Sequence, residues 1–159
     1  MKIEETFTVP FPLEAVYRFF RTEIESVARA IPGLEEFEDL GDDRYRVRVT
    51  QSVGSMGATF DLKAQLDDTE PMRSFRFSAV GRSVKGAVGD LRSKNYLELG
   101  EVSEGTRLRL ESDLFLGGLL GSLGNRVVTM KSRQVVGEFV TNVSGVISDW
   151  MSSAKTGTA

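Results

Sequence analysis

The 159-residue chain has no cysteine and no histidine. Disulfides, thiolate or imidazole metal sites, cysteine nucleophiles and histidine general bases are excluded by residue type alone. Whatever chemistry remains must run on Asp, Glu, Lys, Tyr or Ser. Charge of one sign is also missing: 20 Lys and Arg stand against 23 Asp and Glu, for a net charge of -3. The cations are scattered rather than blocked, so no broad electropositive surface of the kind that dominates nucleic-acid affinity is expected, and nucleic acid is set aside as a partner. The opening "MKIEETFTVPF" lacks the basic region and apolar block of a signal peptide, which makes the cytoplasm the expected location.

What is present is 40% hydrophobic and 27% charged sequence, enough for one soluble globular domain with a sizeable core. That domain is expected over 1–152, with the small polar residues of 153–159 as a disordered tail.

Residues 2 to 9 alternate, with Ile3, Phe7 and Val9 on one face, as in a half-buried strand; Glu5 interrupts that face. Pro12 pre-sets a first helical turn, and Val16, Phe19, Phe20 and Ile24 recur at helical spacing until Pro32 and Gly33 stop them. Two short helices are therefore expected. From Leu34 to Leu116 strands follow one another, separated by "GDD" at 41–43, "GSMG" at 54–57, "DDTEP" at 67–71 and "SEG" at 103–105. A long helix, roughly Leu123 to Met151, then carries Val128, Val135, Val136, Phe139, Val143, Val146, Ile147 and Trp150 on one stripe. The pattern predicts an α+β architecture: a curved antiparallel sheet of about seven strands wrapped around the last helix.

The stretch "DLFLGGLLGSLGNRVVTM" at 113–130 admits several readings. It is too short and too glycine-rich to span a membrane, and it lacks the Lys-Ser/Thr pair of a phosphate loop. Gly117 and Gly118 suit a turn from strand to helix. Projected as a helix, Leu120, Leu123, Val127 and Met130 point away from the later stripe, giving a second apolar side. Intramolecular packing, a bound lipophile, or a membrane or partner patch at Leu116, Leu119, Leu120, Leu123 and Met130 accounts for it.

Several inward positions are polar: Gln51, Ser93, Asn95 and Ser112. In a dry core their donors and acceptors would need partners, which a ligand's polar end or water would supply, unless bulges turn them outward. The outer rows, Arg44, Arg46 and Arg48 beside Asp61, Lys63, Arg92, Lys94, Arg107, Arg109, Glu111 and Asp113, read as cross-strand pairing on a solvated face. For catalysis only Glu5, Tyr17 and Tyr96 offer themselves, and no spacing ties them together. The acidic runs at 23–25 and 35–39 read as helix face and turn, not as a metal site.

With these segments in place, "ARAIPGLEEFEDLGDDRYRVRV" at 28–49, "VGSMGATFDLKAQLDDTEP" at 53–71 and "EGTRLRLESDLFLGGLLGSLGNRVV" at 104–128 resemble the G-subunit family of carbon monoxide dehydrogenase. That family lies within the START, pollen-allergen and polyketide-cyclase-like (SRPBCC) superfamily. The resemblance implies a helix-grip fold with an apolar cavity, no catalytic residue and no covalently bound cofactor. It further implies a lipophilic quinone as ligand, a molybdenum hydroxylase such as carbon monoxide dehydrogenase as partner, and peripheral contact with the inner face of the cytoplasmic membrane.

The expected function is that of a non-enzymatic lipophile carrier. Its cavity would be lined by Phe19, Val49, Phe60, Phe75, Phe77, Leu97, Leu110, Leu120, Leu123, Val127 and Phe139, with Gln51, Asn95 and Ser112 at the ligand's polar end. The alternatives are a cyclase or dehydratase acting in the same cavity and a ligand-free recruitment adaptor.

Overall fold

A computed structural model describes the chain over residues 1–156, with side chains through Ser153. Strand β1 (Lys2–Val9) leads into helices α1 (Leu13–Thr22) and α2 (Ile24–Arg29). Six strands follow: β2 (Leu34–Gly41), β3 (Arg44–Val53), β4 (Met56–Glu70), β5 (Ser74–Gly86), β6 (Asp90–Val102) and β7 (Gly105–Leu116). A 3-10 helix (Gly118–Leu123) then precedes the long α3 (Asn125–Thr156).

The seven strands form one antiparallel sheet in the order β1-β7-β6-β5-β4-β3-β2. Because β1 and β2 are at opposite edges, α1 and α2 must cross from one edge to the other, and they do so on the face that α3 also covers. The alternation seen in the sequence decides that face: in β1, Ile3 and Val9 are buried while Lys2, Glu4, Thr6 and Thr8 are exposed. Strands β4 and β5 are the longest, and their pairing slips between Thr59 and Phe60 and again between Leu66 and Asp68. Such bulges increase local twist and bend a sheet around what it grips.

α1 begins at Pro12, whose carbonyl accepts the Val16 amide at 3.0 Å, as the pre-set first turn requires. At the end of α2, Gly33 takes a positive φ of 81°, and a Cβ there would run into the Thr50 carbonyl. The turn after "AIPG" is thus held against β3 by a close backbone approach open only to glycine.

Three boundaries differ from the sequence reading. The "DDTEP" signal does not end β4 at 67: the strand runs to Glu70, a bulge absorbs Asp67, and the turn is at 71–73. The residues 118–123 form a 3-10 helix, so α3 starts at Asn125 rather than Leu123. At the other end α3 continues through Ser153 to Thr156, in place of the expected disordered tail; residues 157–159 lie outside the described part.

Two buried clusters occupy the gripped face. The first joins Val9, Val16, Phe19, Phe20, Phe75, Leu97, Leu99, Leu108, Val143 and Ile147, uniting the two short helices with the C-terminal half of α3. The second joins Val47, Ala58, Phe60, Leu62 and Leu120 at the opposite end of the sheet.

Candidate functional site

Between the clusters the gripped face changes character. Cross-strand pairing aligns Tyr45, Ala64, Ala79, Ser93 and Leu114 in one row and Leu66, Phe77, Asn95, Ser112 and Ile3 in the next. Directly paired residues share a face, so these side chains all point toward α3. Yet Ala64, Ala79, Ser93, Asn95, Ser112 and Leu114 are each half-exposed, as are Val135 and Val136 on α3. Among the described residues, none of these eight belongs to either buried cluster. Methyl and hydroxymethyl side chains are too short to meet a helix lying across the sheet. The result is a trough whose walls are the two apolar clusters.

The trough floor is polar at one point. The Ser112 hydroxyl donates to Asn95 Oδ1 at 2.7 Å, and Asn95 Nδ2 donates to Ser93 Oγ at 3.1 Å and to the Phe77 carbonyl at 3.4 Å. These residues do face inward, but they satisfy one another and do not depend on a ligand. What they leave free is the Ser93 hydroxyl proton and the lone pairs of Ser112 Oγ. Gln51 stands apart from them: its Nε2 donates to the Pro32 carbonyl at 2.6 Å, so it fastens the α2–β2 turn and does not join Asn95 and Ser112 at a ligand's polar end.

The other expected cavity residues separate into three groups. Val49, Phe77, Leu110, Leu123 and Phe139 are half-buried and border the trough. Phe19, Phe60, Phe75, Leu97 and Leu120 are buried in the clusters, forming its backing rather than its accessible surface. Val127 is 37% exposed and lies outside it. Ala64, Ala79, Val135 and Val136 are trough residues that the sequence reading did not include in the cavity lining; the signal was the lack of inward bulk at Ala79 and Gly81. Two surface clefts lie elsewhere, one of about 600 Å³ between Pro10–Glu14 and Glu101–Gly105 and one of about 460 Å³ on the outer side of α3.

The 3-10 helix closes one end of the trough. Leu119 N bonds to the Val88 carbonyl at 2.9 Å and Gly117 N to the Asp90 carbonyl at 2.9 Å, which ties the segment to the β5–β6 turn. Gly118, with φ of 67°, has the Gly89 Cα 2.9 Å from where a Cβ would be, so only glycine fits there. This geometry replaces the helical projection: Leu120 turns into the second cluster and is 6% exposed, whereas Leu119 and Met130 are 52% and 65% exposed. Leu116 and Leu123 are half-buried against the second cluster. The apolar patch therefore consists of Leu119, Val127 and Met130, without Leu120.

The three residues considered for catalysis do not converge. Tyr17 stacks on Phe75 at 5.3 Å within the first cluster. Tyr96 is on the outer face, where its hydroxyl donates to Glu98 and the Arg76 guanidinium lies 4.3 Å over its ring. Glu5 faces inward from β1, paired across strands with Leu110.

The outer face carries the expected ion pairs. Arg46 and Arg48 each reach both Glu36 and Asp61, at 3.2 to 3.6 Å. Arg109 meets Glu98, Glu111 and Glu4. The hydrogen bond from Arg109 lowers the Glu98 pKa, and the reciprocal bonds to Glu98 and Glu111 raise that of Arg109. Burial, followed by the nearby Asp43 and Asp39 carboxylates, raises the Tyr45 phenol.

Residues 6–148 match the family model for CoxG, the G-subunit of carbon monoxide dehydrogenase. The chain belongs to that family. Among solved structures it is similar to a conserved protein from Geobacillus kaustophilus, at 15% identity and TM-score 0.83, covering 94% of this chain and 96% of that one. A START superfamily protein from Mycobacterium smegmatis is similar at 10% identity and TM-score 0.66, covering 94% and 98%. The Zhui aromatase/cyclase from Streptomyces sp. R1128 is similar at 16% identity and TM-score 0.58, covering 96% and 94%. No curated protein matches the chain in sequence. These likenesses establish the helix-grip fold of the START type. Among the described residues no helix is long and apolar enough to cross a membrane.

Proposed function

We propose that this CoxG-family protein is a non-enzymatic carrier that holds a lipophilic molecule of the quinone type in the trough beneath α3. It would do so in the service of a molybdenum hydroxylase at the inner face of the cytoplasmic membrane. The observation that carries the reading is the row of short inward side chains, Ala64, Ala79 and Ser93, left half-exposed between two apolar walls. Covering apolar surface of that kind is worth about 25 cal/mol per Å² to whatever fills it. The free hydroxyl of Ser93 suits a ligand carbonyl, and Tyr96 on the opposite face of the sheet leaves cyclase chemistry without one of its three candidates.

Gentle purification, solvent extraction and mass spectrometry test the proposal, together with titration by a short-chain quinone. A neutral lipid recovered in stoichiometric amount supports it. Protein that is reproducibly empty and has no quinone affinity overturns it.

The exposure of Leu119, Val127 and Met130 beside the 3-10 helix favours a second role, attachment to a membrane or partner. Replacing Leu119 and Met130 by Ser should abolish co-sedimentation with membranes while leaving the lipid content of the trough unchanged. Unaltered sedimentation removes this role.

A further inference from the structure

The charges that the strands turn toward the trough all have one sign. By cross-strand register, no lysine or arginine on any strand points toward α3. The carboxylates that do are Glu5, Asp39 and Glu101; the last two are exposed at the margins of the sheet, and only Glu5 is half-buried. Glu5 sits between Ile3 and Phe7 on β1, beside Leu110, and Ile3 is in turn paired with Ser112 of the polar floor. Among the described residues Glu5 has neither an ion pair nor a hydrogen bond, unlike Glu4, its outward neighbour, which reaches Arg109. Arg21, half-buried on α1, is held by Asp43 at 3.4 Å. Lys131, the one half-buried lysine of α3 among the described residues, is on the helix rather than the sheet, one turn before Val135 of the trough.

A half-buried carboxylate without a partner has a cost in free energy, and nothing in the packing of β1 calls for it: an apolar residue would continue the Ile3, Phe7 and Val9 face. Its effect on a ligand is direct. An anionic head, whether a fatty-acid carboxylate or a phosphate, entering a trough of low polarity would meet a like charge and no strand-borne cation to neutralise it. A carbonyl, ester or hydroxyl would meet the Ser93 donor and the Ser112 acceptor instead. We infer that Glu5 determines specificity: it excludes anionic lipids and restricts the trough to uncharged lipophiles. The inference rests on the carrier reading above and adds to it a residue that selects among lipids.

The test compares two ligands with the same chain and different heads, palmitate and methyl palmitate, by displacement of an uncharged fluorescent probe from the full-length protein. The native protein should bind the ester about tenfold or more tighter than the acid, the scale of one like-charge contact in a partly screened site. Glu5→Gln should bring the two within about threefold, and Glu4→Gln, which alters only the outer face, should leave the native ratio in place. Palmitate binding as tightly as the ester, as it would if Lys131 captured the head, overturns the inference but not the carrier. An unchanged ratio in Glu5→Gln does the same. Failure of both ligands to bind overturns the carrier reading and this inference with it.

Discussion

The two ends of the gripped face are built on opposite plans. At the end covered by α1, α2 and the C-terminal half of α3, Phe19, Leu108, Val9, Val16, Val143 and Ile147 are essentially inaccessible, and Phe19 contacts both Phe20 and Trp150 at 5.4 to 5.5 Å between ring centres. At the end closed by the 3-10 helix, the second cluster is smaller, and Leu119, Val127, Met130 and Val88 stand out into solvent around it. The first end has the density of a core that holds the fold together. The second has fewer buried side chains and apolar surface available to something else, which are the properties of a segment that opens at lower cost than the base. One helix-grip domain thus combines a fixed base with a yielding mouth, and the half-exposed trough lies where the two plans meet.

The largest expected effect belongs to the fixed base. Phe19→Ala removes a ring with no solvent contact from the centre of the first cluster, and unfolding by urea should show a loss of about 3–5 kcal/mol. A loss below about 2 kcal/mol would mean that this end also yields, and the contrast between the ends would go with it.

A matched pair of alanines sharpens the contrast at the next level. Ala30 is 2% exposed within the first cluster, while Ala79 is half-exposed on the trough floor. Ala30→Leu should cost about 1–3 kcal/mol, as overpacking does in a filled core. Ala79→Leu should cost less than about 1 kcal/mol, because its new methyl groups enter open space, yet it should reduce the amount of bound lipophile. Equal penalties for the two substitutions would show the trough to be as tightly filled as the base.

This division could be read from the sequence only in part. Alternation assigned Ile3, Val47, Phe60, Leu97 and Leu108 to the gripped face because β-strand side chains repeat every two residues, and it placed Asn95 and Ser112 on that face as well. Two kinds of information were beyond it. Bulges add one residue at a time, so the slip near Asp67 moved a turn that composition had set at 67–71. Long-range partners are not encoded in local pattern: Gln51 looks like a cavity residue until Pro32, brought in by the α2–β2 turn, accepts its amide hydrogen. Leu120 illustrates a third limit. A helical projection sent it outward, but a 3-10 segment follows a different angular step, and its side chain drops into the second cluster.

The smallest expected effect concerns the outer face, where the two ends should not differ. Arg109, Glu98 and Tyr96 lie over the fixed base, and Arg46, Arg48, Glu36 and Asp61 lie over the second cluster. Both groups of charges are on the surface with their side chains 28% to 51% exposed, so each pair should contribute modestly. Glu98 has a side chain 40% exposed, and its pKa is lowered chiefly by the Arg109 hydrogen bond. A carboxyl whose folded value lies below its unfolded one contributes stability above the unfolded value and loses it as pH falls through the folded value. Glu98→Gln should therefore lower stability at pH 7 by no more than about 0.5 kcal/mol after allowance for solvent screening. The difference from the native protein should vanish as pH falls below the ordinary carboxylate range. Urea midpoints at neutral and acidic pH measure this directly. A difference that persisted or grew in acid would mean that Glu98 acts through packing of the Tyr96 ring between Arg76 and Arg109, and that the outer face reinforces the fixed base after all.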